Sequence, residues 1–217
     1  EPLPPLPKNW KRIELKELRR VAPGVTELII TNQFDSASMS FGEQAWNFIC
    51  KNVPVLAKRL DTSSTLIEVR YSDRYLRSPL TLLLLHSLLK GLENYVGGVT
   101  GATKIDVCTS ELGGYGKSYL RQFNHDWLDE EDRRQVAEHW FKSSFPKSKW
   151  LLHKNKELPH ARELELIWTD SKWVIRLDQG VGYWVIQRHV RSDFPFDRHI
   201  DQQVESLKKA NLKIVED

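Results

Sequence analysis

STLIEVRYSDRYLRSPLTLLLLHSLLKGL, residues 64–92, decides the fold. Its first eight residues, Ser64 to Tyr71, are short and rich in β-branched and aromatic side chains, as a strand within a sheet should be. Ser78-Pro79 then supplies an N-cap and a proline at the first helical position, and a leucine-rich run to Leu92 predicts a buried helix. Gly97, Gly98 and Gly101 break the chain before a further strand, Lys104 to Thr109. Upstream, Val25 to Thr31 has the same strand character. Ser40-Phe41-Gly42-Glu43 has capping-box spacing and opens a helix with Phe41, Ala45, Trp46, Phe48 and Ile49 on one apolar stripe, ended or kinked by Pro54. The first half therefore reads strand–helix–strand–helix–strand, a βαβ layer with a largely parallel sheet.

Working outward, Leu112 to Phe123 reads as a glycine-rich loop, and Asp129 to Phe141 as an amphipathic helix with Val136, Ala137, Trp140 and Phe141 facing inward. The acids Asp129, Glu130, Glu131 and Asp132 fall in its first turn, where the helix dipole favours them. Glu163 to Thr169 places Leu164, Leu166 and Trp168 on one face, Asp170-Ser171 turns, and Trp173 to Leu177 returns. Asp178-Gln179-Gly180 turns again before Tyr183 to Ile186, so these strands are expected to be antiparallel. A last helix is expected from about Asp197, with Ile200, Val204 and Leu207 inward. The expected fold class is α/β, one domain with a mixed sheet flanked by helices. Residues 1–9 form a proline-rich linker and 10–217 the domain, with Trp10 to Val21 a short helix or amphipathic lead-in. Such an opening fits a domain joined to the remainder of a larger polypeptide.

Composition narrows the function classes. The 217 residues include 8 Trp, 8 Phe and 6 Tyr, too much apolar surface for a disordered tail. Lys and Arg number 32 against 29 acids, net +3, so contact with nucleic acid should be local rather than spread over the surface. Cys50 and Cys108 have neither metal-ligand spacing nor a disulfide framework, and no run approaches the ~20 apolar residues of a membrane span. A reduced, cytoplasmic setting is the expectation. Gly113-Gly114-Tyr115-Gly116-Lys117-Ser118 ends like a phosphate loop, but Glu111 occupies the first glycine's place and would repel phosphates. There is no His-Glu-x-x-His helix and no Gly-x-Ser-x-Gly elbow, so neither metal nor cofactor is expected.

Lys142 to Arg162 is different: Lys142, Lys147, Lys149, His153, Lys154, Lys156, His160 and Arg162 stand against Glu157 alone. Such a stretch neutralises phosphates through charge-assisted hydrogen bonds, and Trp150 within it either stacks on a base or anchors the segment to the core. His160-Ala161-Arg162 leads into a strand whose alternation puts both basic side chains on one face. An imidazole there can donate a hydrogen bond or attack phosphorus, and a guanidinium can hold two oxygens in its fork.

The longer string sharpens this reading. Pro159-His160-Ala161-Arg162-Glu163-Leu164, then Trp173 to Gly180, then Tyr183-Trp184, resembles the phospholipase D-like domain at the C-terminus of MIT-domain proteins. Upstream, Glu68 to Leu76 resembles the strand that runs into that family's acid–x–Tyr–aliphatic–Arg element, matched here by Asp73, Tyr75 and Arg77. The matches span residues 64 to 190. The resemblance implies a pocket for a phosphodiester or phosphorylated head group. His160 and Arg162 would hold the phosphate, with Asp73, Arg74 and Arg77 as the opposite wall and Asp73 orienting Arg77 or His160. Lys149, Lys154 and Lys156 would extend the charged track, and Asp178 or Glu165 would stand in for an orienting acid. In phospholipase D proper that acid falls where this chain has Ile167, and two His-x-basic motifs face each other where this chain has one. A homodimer would supply the second. These departures favour grip over hydrolysis. Similar domains serve as accessory parts of bacterial nucleic-acid enzymes, including helicase-type antiviral defence proteins, so nucleic acid is the leading expected partner. The alternatives are a module that binds anionic phospholipid or a protein partner, and a metal-independent phosphodiesterase or nuclease with His160 as nucleophile.

Overall fold

The computed structural model describes residues 25–30, 41–112, 127–159, 162–177, 181 and 210–216, with side chains of the first and last strands described at Thr26, Ile214 and Val215 alone. In chain order the elements are β1 (Val25–Ile30), α1 (Phe41–Asn52), α2 (Pro54–Leu60), β2 (Leu66–Asp73), α3 (Pro79–Gly91), a 3-10 turn (Leu92–Asn94), β3 (Lys104–Ser110), α4 (Glu130–Ser144), β4 (Ser148–His153), β5 (Arg162–Trp168), β6 (Lys172–Leu177) and β7 (Ala210–Glu216). The seven strands form one sheet in the order β1-β7-β6-β5-β2-β3-β4. The result is a single α/β domain with an open mixed sheet.

The parallel part is β2-β3-β4; every other pairing is antiparallel. This corrects the expected parallel layer, because β1 does not join β2 but lies at the far edge against β7. Asn211-Leu212-Lys213-Ile214-Val215 has strand alternation that the sequence reading passed over. The basic segment is also partly a strand: Ser148–His153 forms the opposite edge, parallel to β3. The linker at 1–9, Trp10 to Val21, the Ser40 capping box, the 113–118 loop, the 178–180 turn, Tyr183 to Ile186 and the helix from Asp197 lie outside the described residues.

Local chemistry explains the central elements. Ser78 Oγ accepts from the Thr81 amide while Thr81 Oγ1 accepts from the Ser78 amide, a reciprocal cap that starts α3 one residue after the strand-to-helix loop. Leu82, Leu84, Leu85, Leu88 and Leu89 are buried, each stabilising the fold by roughly 1.5–3 kcal/mol relative to exposure. Pro54 separates α1 from α2. Alternation assigns the sheet's two faces. Val69, Tyr71, Ile105, Val107, Trp150, Leu164, Leu166, Trp168 and Ile175 share one face and one hydrophobic core with the helices. The other face carries Glu68, Arg70, Lys104, Asp106, Glu163, Glu165, Lys172 and Arg176, joined across strands by ion pairs. A register shift between Leu66 and Glu68 resets β2 so that both Leu66 and Val69 reach the core.

Candidate functional site

Strand β2 ends where antiparallel β5 begins: Ser72 pairs with Glu163, which makes Asp73 and Arg162 neighbours at the C-terminal end of the parallel strands. Ligands of open α/β sheets bind at this end. Asp73 is 4% exposed and Arg162 9%. Asp73 Oδ2 accepts from the Tyr71 hydroxyl at 2.9 Å, and Oδ1 accepts from the Tyr75 amide at 2.7 Å. Arg162 Nε stands 3.6 Å from Oδ1, longer than the roughly 2.7–2.9 Å of a tight charge-assisted bond, so the contact is a loose ion pair. That guanidinium lies 4.6 Å from the centroid of the Tyr75 ring, and the Arg77 guanidinium lies 5.2 Å from the same ring. One tyrosine thus gathers two cations, each contact adding about 0.5–2 kcal/mol.

Burial raises the Asp73 carboxyl above the ordinary range, against the pull of the Tyr75 amide and of Arg162. Burial, together with the Asp73 charge, also raises Tyr71 well above its usual value. Tyr71 therefore stays a proton donor to Asp73 at any physiological pH. The matched acid–x–Tyr–aliphatic–Arg element is one spatial unit, with Asp73 beneath and Tyr75 and Arg77 around Arg162.

Arg74 donates through Nε to the Leu158 carbonyl at 2.8 Å and through Nη2 to the same oxygen, which ties the basic turn after β4 to the end of β2. Ser110 Oγ donates to the Arg74 carbonyl at 2.7 Å, and the Trp127 amide donates to the Arg77 carbonyl at 2.6 Å. Arg133, fully buried, was not expected here. It donates to the carbonyls of Leu76 and Ser110, at 3.0 and 2.7 Å, and pairs with Glu130. Its signal lay in the spacing 133, 137, 141, one helical stripe. Val136, expected inward, is 46% exposed because it lies about 100° around the helix from Ala137, off the 133–137–141 stripe.

The other expected residues divide. Lys149 lies exposed on β4, and Lys154 and Lys156 lie exposed in the turn that follows. Trp150 anchors to the core with the Arg133 guanidinium 5.7 Å from its ring, so it is not a base-stacking platform. Glu165 points to the sheet's other face, toward Lys172 and Arg70, and does not serve as an orienting acid beside Arg162. His160 and Asp178 lie outside the described residues. The acids of α4 act within the helix: Asp129 caps it by accepting from the Asp132 amide, and Glu131 pairs with Arg134 at 2.6 Å.

The chain matches the family model described as DEAD/DEAH box helicase YjiV, C-terminal domain, over residues 24–217. It belongs to this family. The YjiV C-terminal domain is an accessory domain of a helicase-type protein, so the remainder of that polypeptide is a partner. The match covers all seven strands, including the edge strands β1 and β4. No curated protein matches the chain. Among the described residues, no helix is long and apolar enough to cross a membrane.

Proposed function

We propose that this helicase C-terminal domain is a phospholipase D-like phosphate-binding module that holds a nucleic-acid backbone for its parent protein. The observation that carries the reading is the Asp73–Arg162–Tyr75–Arg77 unit at the C-terminal end of the parallel strands. Two planar guanidiniums gathered on one ring are already ordered before an anion arrives, so less side-chain freedom is lost on binding. His160 precedes Arg162 by two residues in the sequence, and in this proposal its imidazole would donate to a phosphate oxygen. Lys154 and Lys156, exposed in the turn that Arg74 fastens to β2, would carry the charged track away from the grip.

Binding suits this site better than hydrolysis. Glu165 faces away, and Asp73 is occupied with Tyr71, the Tyr75 amide and Arg162. The test is a salt titration of DNA and RNA binding by the 217-residue chain, with vesicles of anionic phospholipid in parallel. Nucleic-acid affinity is expected to fall linearly on logarithmic axes as salt rises, by about 0.9 per phosphate contacted in duplex DNA. A flat response, no binding at low salt, or tighter binding to vesicles would overturn the reading.

A further inference from the structure

The open face of the sheet is built asymmetrically in depth. Its acidic side chains lie low: Asp106 is 6% exposed, Glu165 16%, and Glu68 and Glu163 20% each. Its basic side chains rise over them: Lys172 is 37% exposed, Lys104 40%, Arg70 43% and Arg176 52%. Lys149, exposed on β4, lies in register with Asp106 and has no ion pair among the described residues. The carboxylates hold the cations upright from below, with Lys104 Nζ 2.6 Å from Asp106 and Lys172 Nζ 2.9 Å from Glu165. What meets a partner is therefore a layer of N–H donors. Arg176, for example, bonds Glu163 Oε1 through Nε and Nη2, which leaves Nη1 directed elsewhere.

We infer that this face docks the phosphate backbone of a nucleic-acid duplex. It rests on reading the domain as nucleic-acid-binding, but on different residues from the strand-end grip. The cations extend from β6 to β4, five adjacent strands or about 19 Å at ~4.8 Å per strand. One strand of a duplex places a phosphate every ~3.4 Å, so several pass over the face at once. No Trp, Tyr or Phe projects from the described residues of this face, whose other members are Ser72, Cys108, Ser110, Leu151, His153, Ile167 and Val174. Single strands gain much of their affinity from bases stacked on aromatic rings, and a cationic sheet whose one ring is His153, at the end of the edge strand beside Glu157, instead suits an unbroken duplex that offers its backbone. An acidic protein surface would meet the same donors, which the experiment must separate.

The experiment compares fluorescence anisotropy of the 217-residue chain with a labelled duplex and with a single strand of equal length, across a salt series. The variants are Lys149→Gln/Lys172→Gln/Arg176→Gln and the strand-end Arg77→Gln. The triple variant is expected to lose about tenfold or more in duplex affinity, with a salt slope shallower by about 2–3, while single-strand affinity changes less than twofold. Lys149→Glu, at a position without an ion pair, repeats the direction of the effect should the triple variant fold poorly. Duplex binding by the triple variant at wild-type affinity and slope overturns the inference, as does an equal loss for both nucleic acids. If Arg77→Gln alone weakens binding, the strand-end reading survives and this one does not. No binding by the wild type at low salt sinks both. Unchanged duplex binding with loss of association to the helicase remainder would assign the face to a protein partner and overturn the inference.

Discussion

At the residue scale, Asp73 and Arg133 show how differently two buried charges serve one site. Arg133 is answered on every side by Leu76, Ser110 and Glu130, and it fixes the loop after β2 and the end of β3 to α4. Its role is to hold the frame. Asp73 is answered less fully, because desolvation raises its carboxyl pKa in spite of Arg162. A carboxyl whose folded pKa exceeds the unfolded one binds more protons in the folded state, so stability falls as pH rises from ~3.9 through the raised folded value. Asp73→Asn removes that component. The variant's stability, measured by urea unfolding across this range, is expected to fall less with rising pH than the wild type's and to be no lower at pH 7, while anion binding weakens because Arg162 loses its orienting charge. A loss above about 1 kcal/mol at pH 7 would show that the attraction to Arg162 outweighs desolvation.

At the element scale, α1 and α3 are held at close range by residues too small to be noticed in a hydrophobic pattern. A Cβ at Gly42 would lie 1.7 Å from the Ser87 carbonyl oxygen, and one at Gly91 would lie 2.7 Å from Gly42. The same approach lets the Gly42 amide donate to Ser87 Oγ at 3.0 Å and Trp46 Nε1 donate to the Leu88 carbonyl at 2.8 Å. Gly42→Ala is therefore expected to cost about 3 kcal/mol in urea unfolding, since both partners are backbone and neither yields. A cost below about 1 kcal/mol would mean that the helices slide apart freely. Much of this architecture was legible. The leucine run and Ser78-Pro79 marked α3 almost to the residue, and the alternation of Leu164, Leu166 and Trp168 marked β5 and its buried face. Arg133 was passed over because a charged residue on a helix stripe counts as exposed in any pattern of apolar periodicity, and its two carbonyl partners come from distant segments.

At the scale of the whole molecule, what the sequence withheld was pairing. Val25–Ile30 reads correctly as a strand, yet nothing local distinguishes a parallel neighbour beside β2 from an antiparallel partner at the other end of the chain. The same holds for the site. Asp73, Tyr75, Arg77 and Arg162 were each named from a family-like string, but their arrangement around one ring depends on β5 returning beside β2 across 88 residues of intervening chain. Fold and proposed grip thus have a common origin: the antiparallel β2–β5 pairing brings a basic residue to the end of a parallel strand, where open α/β sheets receive their ligands.

The most direct test is the response of the arginine side-chain Nε–Hε resonances of the labelled chain to a dinucleotide monophosphate and, separately, to inorganic phosphate. The account requires the signals of Arg77 and Arg162 to shift together with one saturation curve, while that of Arg74, whose Nε is bonded to the Leu158 carbonyl, moves least. Unmoved Arg77 and Arg162 signals at saturating ligand, with shifts confined to other arginines, would contradict it.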